Sequence, residues 1–170
     1  MQIALRPWRP DDAPALAALI NDRAVQDNLR DGIPYPYTAA DGAAFLAETL
    51  AADPDTTFAY AVTADGRLAG SIAAYRQGNI HRRTAELGYY LGRDFWGRGV
   101  ATAAVRLLCE RLFDTTDLVR LFAEPFADNA ASRRVLEKAG FTLEGVLRRN
   151  AVKNGRLRDM CLYARLRPGI

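Results

Sequence analysis

The sequence predicts an α/β (α+β) fold in which helices flank a mixed sheet in three layers. Three observations carry that prediction. Strand-like and helix-like periodicities alternate along the chain. Two strong hairpin signals, Asp65-Gly66 and Asn154-Gly155, each separate a pair of strand-like runs. One strand–turn–helix–strand unit, Thr84 to Ala123, has the form of a right-handed parallel crossover.

In chain order, Ile3 and Leu5 alternate with polar residues and predict a first strand. Asp11 or Asp12 then caps a helix carrying Leu16, Leu19 and Ile20 on one face. Asp31 to Thr38 is a loop, because Pro34 and Pro36 are incompatible with helix and with sheet ladders. Thr38 with Asp41 makes a capping box for a helix running to about Ala51. Strands are predicted over Thr57 to Thr63, Arg67 to Tyr75 and Thr84 to Leu91. A helix follows from Gly99 to Phe113, with Ala101, Val105, Leu108 and Leu112 at helical spacing. Leu118 to Ala123 is a short apolar strand, and Asn129 opens a short helix that stops at Gly140. The chain closes with strands over Phe141 to Arg149 and Leu157 to Leu166.

Composition narrows the functional classes. The 170 residues form one domain, 1–170, with 49% hydrophobic and 25% charged residues, the balance of a soluble globular protein. Twenty-three basic against 20 acidic residues leave a net charge of +3, too little to imply direct nucleic-acid binding. All but two of the basic residues, Lys138 and Lys153, are arginine, a bias for which genome base composition is sufficient cause. Cys109, Cys161 and the single His81 supply neither a disulfide framework nor a metal site. There is no apolar run of membrane-spanning length, and Met1 to Pro7 has no signal-peptide character. These features predict a cytoplasmic protein with reduced thiols and no metal.

The most informative segment runs from Gly88 through Gly97, Gly99 and Ala101 to Ala103. A strand enters a glycine turn and a helix leaves at once, so backbone N–H groups and the helix N-terminus converge on one spot. That chemistry suits a pyrophosphate. A phosphate loop of the Gly-Lys-Ser/Thr type is excluded, since no lysine follows the glycines. The third glycine of a dinucleotide fingerprint is replaced by Thr102.

The remaining form is Gln/Arg-x-x-Gly-x-Gly/Ala, the acyl-coenzyme A loop of the GNAT acetyltransferases, which Trp96-x-x-Gly99-x-Ala101 resembles. Phe95-Trp-Gly-Arg-Gly-x-Ala101 is similar to the RimJ/RimL-type branch of that family. So is Asn129-Ala-Ala-Ser132-Arg-Arg-Val-Leu-Glu-Lys-Ala-Gly-Phe141. Leu5-Arg-Pro-Trp8, Glu144-Gly145, Lys153-Asn-Gly155 and Asp159 extend the resemblance over nearly the whole chain.

The resemblance implies a mostly antiparallel sheet of six to seven strands, splayed between its fourth and fifth strands. It implies acetyl-CoA as cofactor, with pantetheine contacts from Tyr89, Tyr90 and Leu91 and pyrophosphate contacts from Trp96, Gly97, Arg98, Gly99, Val100, Ala101 and Thr102. One backbone N–H aimed at the thioester oxygen would stabilise an oxyanion. Arg93, Arg98 or Arg133 would meet phosphate charge, and Asn129 would contact coenzyme A. Glu86 stands where some GNAT enzymes carry their general base, and alternation puts it on one face with Gly88 and Tyr90. The tyrosine that many relatives use as an acid is Leu136 here, and Ser132 is the alternative, as in RimL-type enzymes. The glutamate of those enzymes falls at Ala151. Tyr35 and Tyr37 are expected on the substrate-side wall. Arginines 148, 149, 156 and 158 flank the last hairpin as a solvated face or an attractor for an acidic substrate or an RNA-rich particle.

The implied reaction is direct acetyl transfer to a primary amine in a ternary complex. A lysine-like amine near pKa 10.4 is neutral about 0.04% of the time at pH 7, against roughly 10–15% for an α-amine. A single carboxylate base therefore favours a protein N-terminal α-amine as acceptor. A small-molecule amine (aminoglycoside, polyamine or amino acid) and a non-catalytic acyl-CoA-sensing domain remain the alternatives. Monomer and homodimer are both open.

Overall fold

A computed structural model describes every residue from Met1 to Ile170. Seven strands form one sheet. They are β1 (Ile3–Arg6), β2 (Thr57–Ala64), β3 (Arg67–Arg76), β4 (Thr84–Leu91), β5 (Arg120–Ala123), β6 (Thr142–Lys153) and β7 (Arg156–Leu166). Five α-helices accompany them, α1 (Ala13–Ile20), α2 (Arg23–Gln26), α3 (Ala39–Ala51), α4 (Val100–Thr115) and α5 (Ala130–Lys138). The strand order is β1-β2-β3-β4-β5-β7-β6. Every pairing is antiparallel except β4 with β5, which is the predicted crossover.

Both hairpins form where the dipeptides placed them. Asp65 and Gly66 (φ 48° and 77°), like Asn154 and Gly155 (51° and 72°), adopt the positive φ that tight hairpin turns need. The Thr38–Asp41 capping box is also present. Three details differ from the sequence reading. Asp12 occupies the cap position of α1, but its carboxylate turns back to the Arg9 N–H (2.9 Å) and the Arg6 guanidinium instead of capping the helix. β5 begins at Arg120, two residues later than expected, and the Leu118 N–H donates to the Thr116 hydroxyl instead of to a strand. β6 runs past Arg149 to Lys153, across a bulge. There Arg149 has φ 54° and its N–H donates to Asp159 Oδ1, and pairing with β7 resumes at Ala151.

The two faces of the sheet bury different cores. Val100, Val105, Leu108 and Leu112 of α4 pack with Val62, Ile72, Leu87, Leu121 and Tyr163 on one side. Leu16 of α1 and Leu46 of α3 pack with Trp8 and Ala61 on the other. Ala61 and Val62 are neighbours on β2 that point to opposite layers, as the strand period requires. The sheet opens at its centre. Only Thr84 to Glu86 of β4 register with β5, opposite Arg120 to Phe122, after which β5 continues only beside β7. From Leu87 to Leu91, β4 has no strand partner on that side.

Candidate active site

A cleft of about 750 Å³ enters the sheet at this opening. Its cofactor-like side is built from main chain. Gly97 and Gly99 have φ of 70° and 77°, and Gly99 is the N-cap of α4. A Cβ added at either glycine would meet no atom within 4 Å, so the turn borders open space. The N–H groups of Gly97 through Thr102 donate to no group in the protein and crowd the positive end of a long helix. Arg134 and Lys138, one helical turn apart on α5, line the same cleft.

Most of the predicted cofactor residues meet here: Tyr89, Tyr90, Leu91, Trp96, Gly97, Gly99, Val100, Ala101, Thr102 and Asn129 all line the cleft. The role of Trp96 differs from the expectation. Its backbone N–H is bonded to Arg93 C=O, and its indole Nε1 donates to Leu91 C=O at 2.9 Å. The ring thus ties the glycine turn to the end of β4. The expected arginines are elsewhere. Arg93 is paired with Asp22 at 2.6 Å, and Arg98 is exposed outside the cleft. Arg133 faces away, donating to the Tyr163 hydroxyl and Ala127 C=O, both at 3.1 Å. The signal for Arg134 and Lys138 was in the sequence: Ala131, Arg134, Val135 and Lys138 share one helical face.

Glu86 and Ser132 face the cleft from opposite walls. Glu86, on the face of β4 shared with Tyr90, has a quarter of its side chain exposed and forms an ion pair with Arg30. Tyr75 stands opposite it in the β3–β4 register and also lines the cleft. Burial and the Glu86 charge together push the Tyr75 phenol above its ordinary pKa. On the other wall, Asn129 caps α5 by accepting the Ser132 N–H at 3.2 Å. The Tyr89 hydroxyl lies 2.8 Å from Ser132 Oγ. Leu136 is fully buried at the cleft floor and offers no donor.

The cleft wall beside Glu86 comes from α2 and residues between Asn28 and Ile33, not from Tyr35 and Tyr37, the tyrosines expected on a substrate-side wall. Tyr35 is exposed beneath the Arg23 guanidinium, 4.1 Å from its ring centroid. Tyr37 is buried against Ala17, Ile20 and Val25, where its aromatic bulk serves packing. The β6–β7 hairpin fastens this wall from across the cleft. Lys153 Nζ pairs with Asp31 at 2.9 Å, and Asn154 Nδ2 donates to Asp27 at 3.0 Å. Arg158 donates to Asp27 C=O and to Asp128, and it stacks 3.6 Å over Phe126. Of the hairpin arginines, Arg148, Arg149 and Arg156 remain exposed. Arg30, Tyr75 and this clasp have no local sequence signature, because each partner is distant in the chain.

No three His, Cys, Asp or Glu side chains are grouped to hold a metal ion, and no helix is long and apolar enough to cross a membrane. The unpaired β4 edge, the glycine cradle and the Arg134–Lys138 pair fit a long cofactor with a pyrophosphate.

Residues 2–142 match the family model described as acetyltransferase (GNAT) domain. The chain is 36% identical over 121 residues to the protein named "Probable N-acetyltransferase YjcK" of Bacillus subtilis, covering 71% of this chain and 67% of that one. It is 27% identical over 95% of its length to spermidine N(1)-acetyltransferase of Escherichia coli, covering 86% of that protein. The solved structure of RimL, a ribosomal L7/L12 alpha-N-protein acetyltransferase in complex with coenzyme A, superposes with a TM-score of 0.88 at 24% identity. It covers 98% of this chain and 94% of that one. The chain therefore belongs to the GNAT acetyltransferase family, the acetyl-CoA-dependent N-acetyltransferases.

Proposed function

We propose that the protein transfers the acetyl group of acetyl-CoA to a protein N-terminal α-amine, by direct attack in a ternary complex in the cytoplasm. The observation that carries this reading is that Glu86 and Ser132 face one cleft from opposite sides of the β4–β5 opening, beside the glycine cradle. When bound, acetyl-CoA supplies the activated acetyl thioester. The N–H groups from Gly97 to Thr102, with Arg134 and Lys138, hold its phosphates. The unpaired backbone of β4 from Leu87 to Leu91 holds the pantetheine arm.

Glu86 takes the proton of the attacking amine, directly or through one water. Arg30 occupies that carboxylate first. Its side chain is 66% exposed, so an incoming ammonium displaces it at little cost.

The charge of the wall favours an α-amine over a polyamine. Three carboxylates line the acceptor side, but Asp31 is held by Lys153 and Glu86 by Arg30, leaving only Glu124 unpaired. A polycation would have only Glu86 and Glu124 to meet its several charges, since Asp31 is held by Lys153. The lower pKa of an α-amine also asks less of a single base. RimL, which acts on an α-amine, supports the same choice, whereas the spermidine enzyme represents the other outcome. The buried free thiols of Cys109 and Cys161 suit a reducing compartment.

The test is thiol release from acetyl-CoA with a panel of N-terminal peptides, polyamines, aminoglycosides and free amino acids. Peptides are expected to give the highest kcat/KM. Faster turnover of spermidine would replace the acceptor class, and tight coenzyme A binding with no turnover on any amine would replace catalysis by sensing.

A further inference from the structure

The position where many GNAT enzymes carry a tyrosine on α5 is Leu136, yet a tyrosine hydroxyl is present at the same end of the cleft. It comes from the sheet. Tyr89 leaves β4 on the face opposite Glu86, packs its ring against the main core and ends 2.8 Å from Ser132 Oγ. The distance is that of an ordinary O–H···O bond.

Ser132 is fixed twice. Its backbone N–H is held by Asn129 Oδ1, and its hydroxyl by Tyr89. The phenol proton has two acceptors within reach, Ser132 Oγ at 2.8 Å and Ser132 C=O at 3.3 Å. The nearer one is the hydroxyl. A phenol donating to Ser132 Oγ leaves the serine's own proton without a partner in the protein, on a residue that lines the cleft. A first-turn serine often spends its hydroxyl on a nearby backbone carbonyl. Here the Tyr89 hydroxyl engages it instead, with the two oxygens 2.8 Å apart.

We infer that Tyr89 is a positioning residue that aims the Ser132 hydroxyl into the cleft as a hydrogen-bond donor for the sulfur of coenzyme A, so that the pair stabilises the departing thiolate. This rests on the acetyl-CoA reading above. It also defines what the pair does not do. Burial pushes the Tyr89 phenol up to about 12. A thiol is more acidic than such a phenol, so the departing thiolate does not take its proton. Tyr89 and Ser132 therefore keep their protons and act through hydrogen bonds to the anion, which strengthen as charge builds on sulfur.

The test reads the thiol itself. Coenzyme A bound to the wild-type protein is titrated by the ultraviolet absorbance of its thiolate. The bound thiol is expected to be about tenfold more acidic than free coenzyme A, since hydrogen bonding to the charged form favours it. Ser132→Ala should abolish that gain and Tyr89→Phe should remove most of it, with coenzyme A affinity nearly unchanged in both. In turnover, Tyr89→Phe should lower kcat about tenfold at constant acetyl-CoA KM. The double variant should be no slower than Ser132→Ala, as expected for groups acting as a unit. A Tyr89→Phe protein whose bound thiol titrates as in wild type would overturn the inference, and a changed affinity alone would make Tyr89 a packing residue. If the wild type binds no coenzyme A, both readings fall; if it turns over amines but neither variant moves the thiol titration, only the role of the pair is lost.

Discussion

The two sides of the cleft are made of different materials. The cofactor side is main chain: two glycines at positive φ, free N–H groups at the start of α4, and a strand edge without a partner, all resting on a core that is fully buried at Val105 and Leu108. The acceptor side is side chain: Arg30–Glu86, Lys153–Asp31 and Arg158–Asp128, each with one partner that is about two-thirds or more exposed. Recognition of an invariant cofactor is thus built into backbone that cannot change without refolding. On the proposed reading, choice of the acceptor would rest on these half-exposed pairs, each worth less than about 1 kcal/mol, which can be exchanged without disturbing the core.

That contrast can be broken first at Glu86, the one carboxylate carried on the cofactor-side strand. Glu86→Gln should lower kcat by about 10² or more and change the acetyl-CoA KM little. Steady-state kinetics at saturating acceptor decide it, and an unchanged rate removes Glu86 as the base.

A second exception lies away from the cleft, at the start of α1. Asp12 is only 9% exposed and takes a bidentate pair of bonds from Arg6, at 2.8 and 2.7 Å, that ties α1 to β1. Asp12→Asn should destabilise the fold by about 2 kcal/mol at pH 7, far more than any exposed pair. The Arg6 guanidinium holds the Asp12 carboxyl below its ordinary pKa. Its contribution is therefore complete above the unfolded value of about 4 and fades as pH falls through the lowered folded value. Urea unfolding at both ends of that window should show a large gap between wild type and variant at neutral pH, and a closing gap in acid.

The cofactor side should respond in binding, not in acceptor choice. Gly99→Val forces a β-branched residue to φ 77°, a conformation costing about 1–2 kcal/mol for L-residues. The acetyl-CoA KM should rise about tenfold, with the ranking of acceptors unchanged. A reordered acceptor ranking would mean that the two sides are coupled through the turn.

The same division decides how much was legible in the sequence. Glycine turns, hairpin dipeptides and helix caps act over a few residues, so both hairpins, the capping box of α3, the α4 turn and the Asn129 cap stood where the residues put them. The alternation of β4 likewise placed Glu86 and Tyr89 on opposite faces. Arg133 was the wrong choice of neighbour because one step along a helix is a rotation of about 100°, which turns it toward Tyr163 while Arg134 lines the cleft. The acceptor wall was out of reach for another reason. Lys153 meets Asp31 and Arg158 meets Asp27 across more than a hundred residues, and no local pattern encodes such a pairing. Tyr37 shows the converse: an aromatic in the proline-containing loop was expected on the substrate-side wall, but apolar neighbours from α1 and α2 absorb it as core.

The smallest effect is the sharpest test of the contrast. Lys153 Nζ is well covered, with 11% of its side chain exposed, while its partner Asp31 is 78% exposed. Desolvation of the ammonium offsets much of the attraction, so Lys153→Ala should cost less than about 1 kcal/mol in stability. Its consequence should appear in the acceptor wall. Losing the clasp frees the Asp31 carboxylate into the cleft, so the KM of a cationic amine should fall about two- to threefold at low salt, and the difference should vanish as ionic strength rises. The acetyl-CoA KM should stay constant, because the hairpin's bonds run to Asp27 and Asp31 and none to the glycine cradle. A change in cofactor affinity with constant acceptor KM would show that the hairpin supports the cofactor side, and that backbone and side-chain recognition are not divided between the two walls.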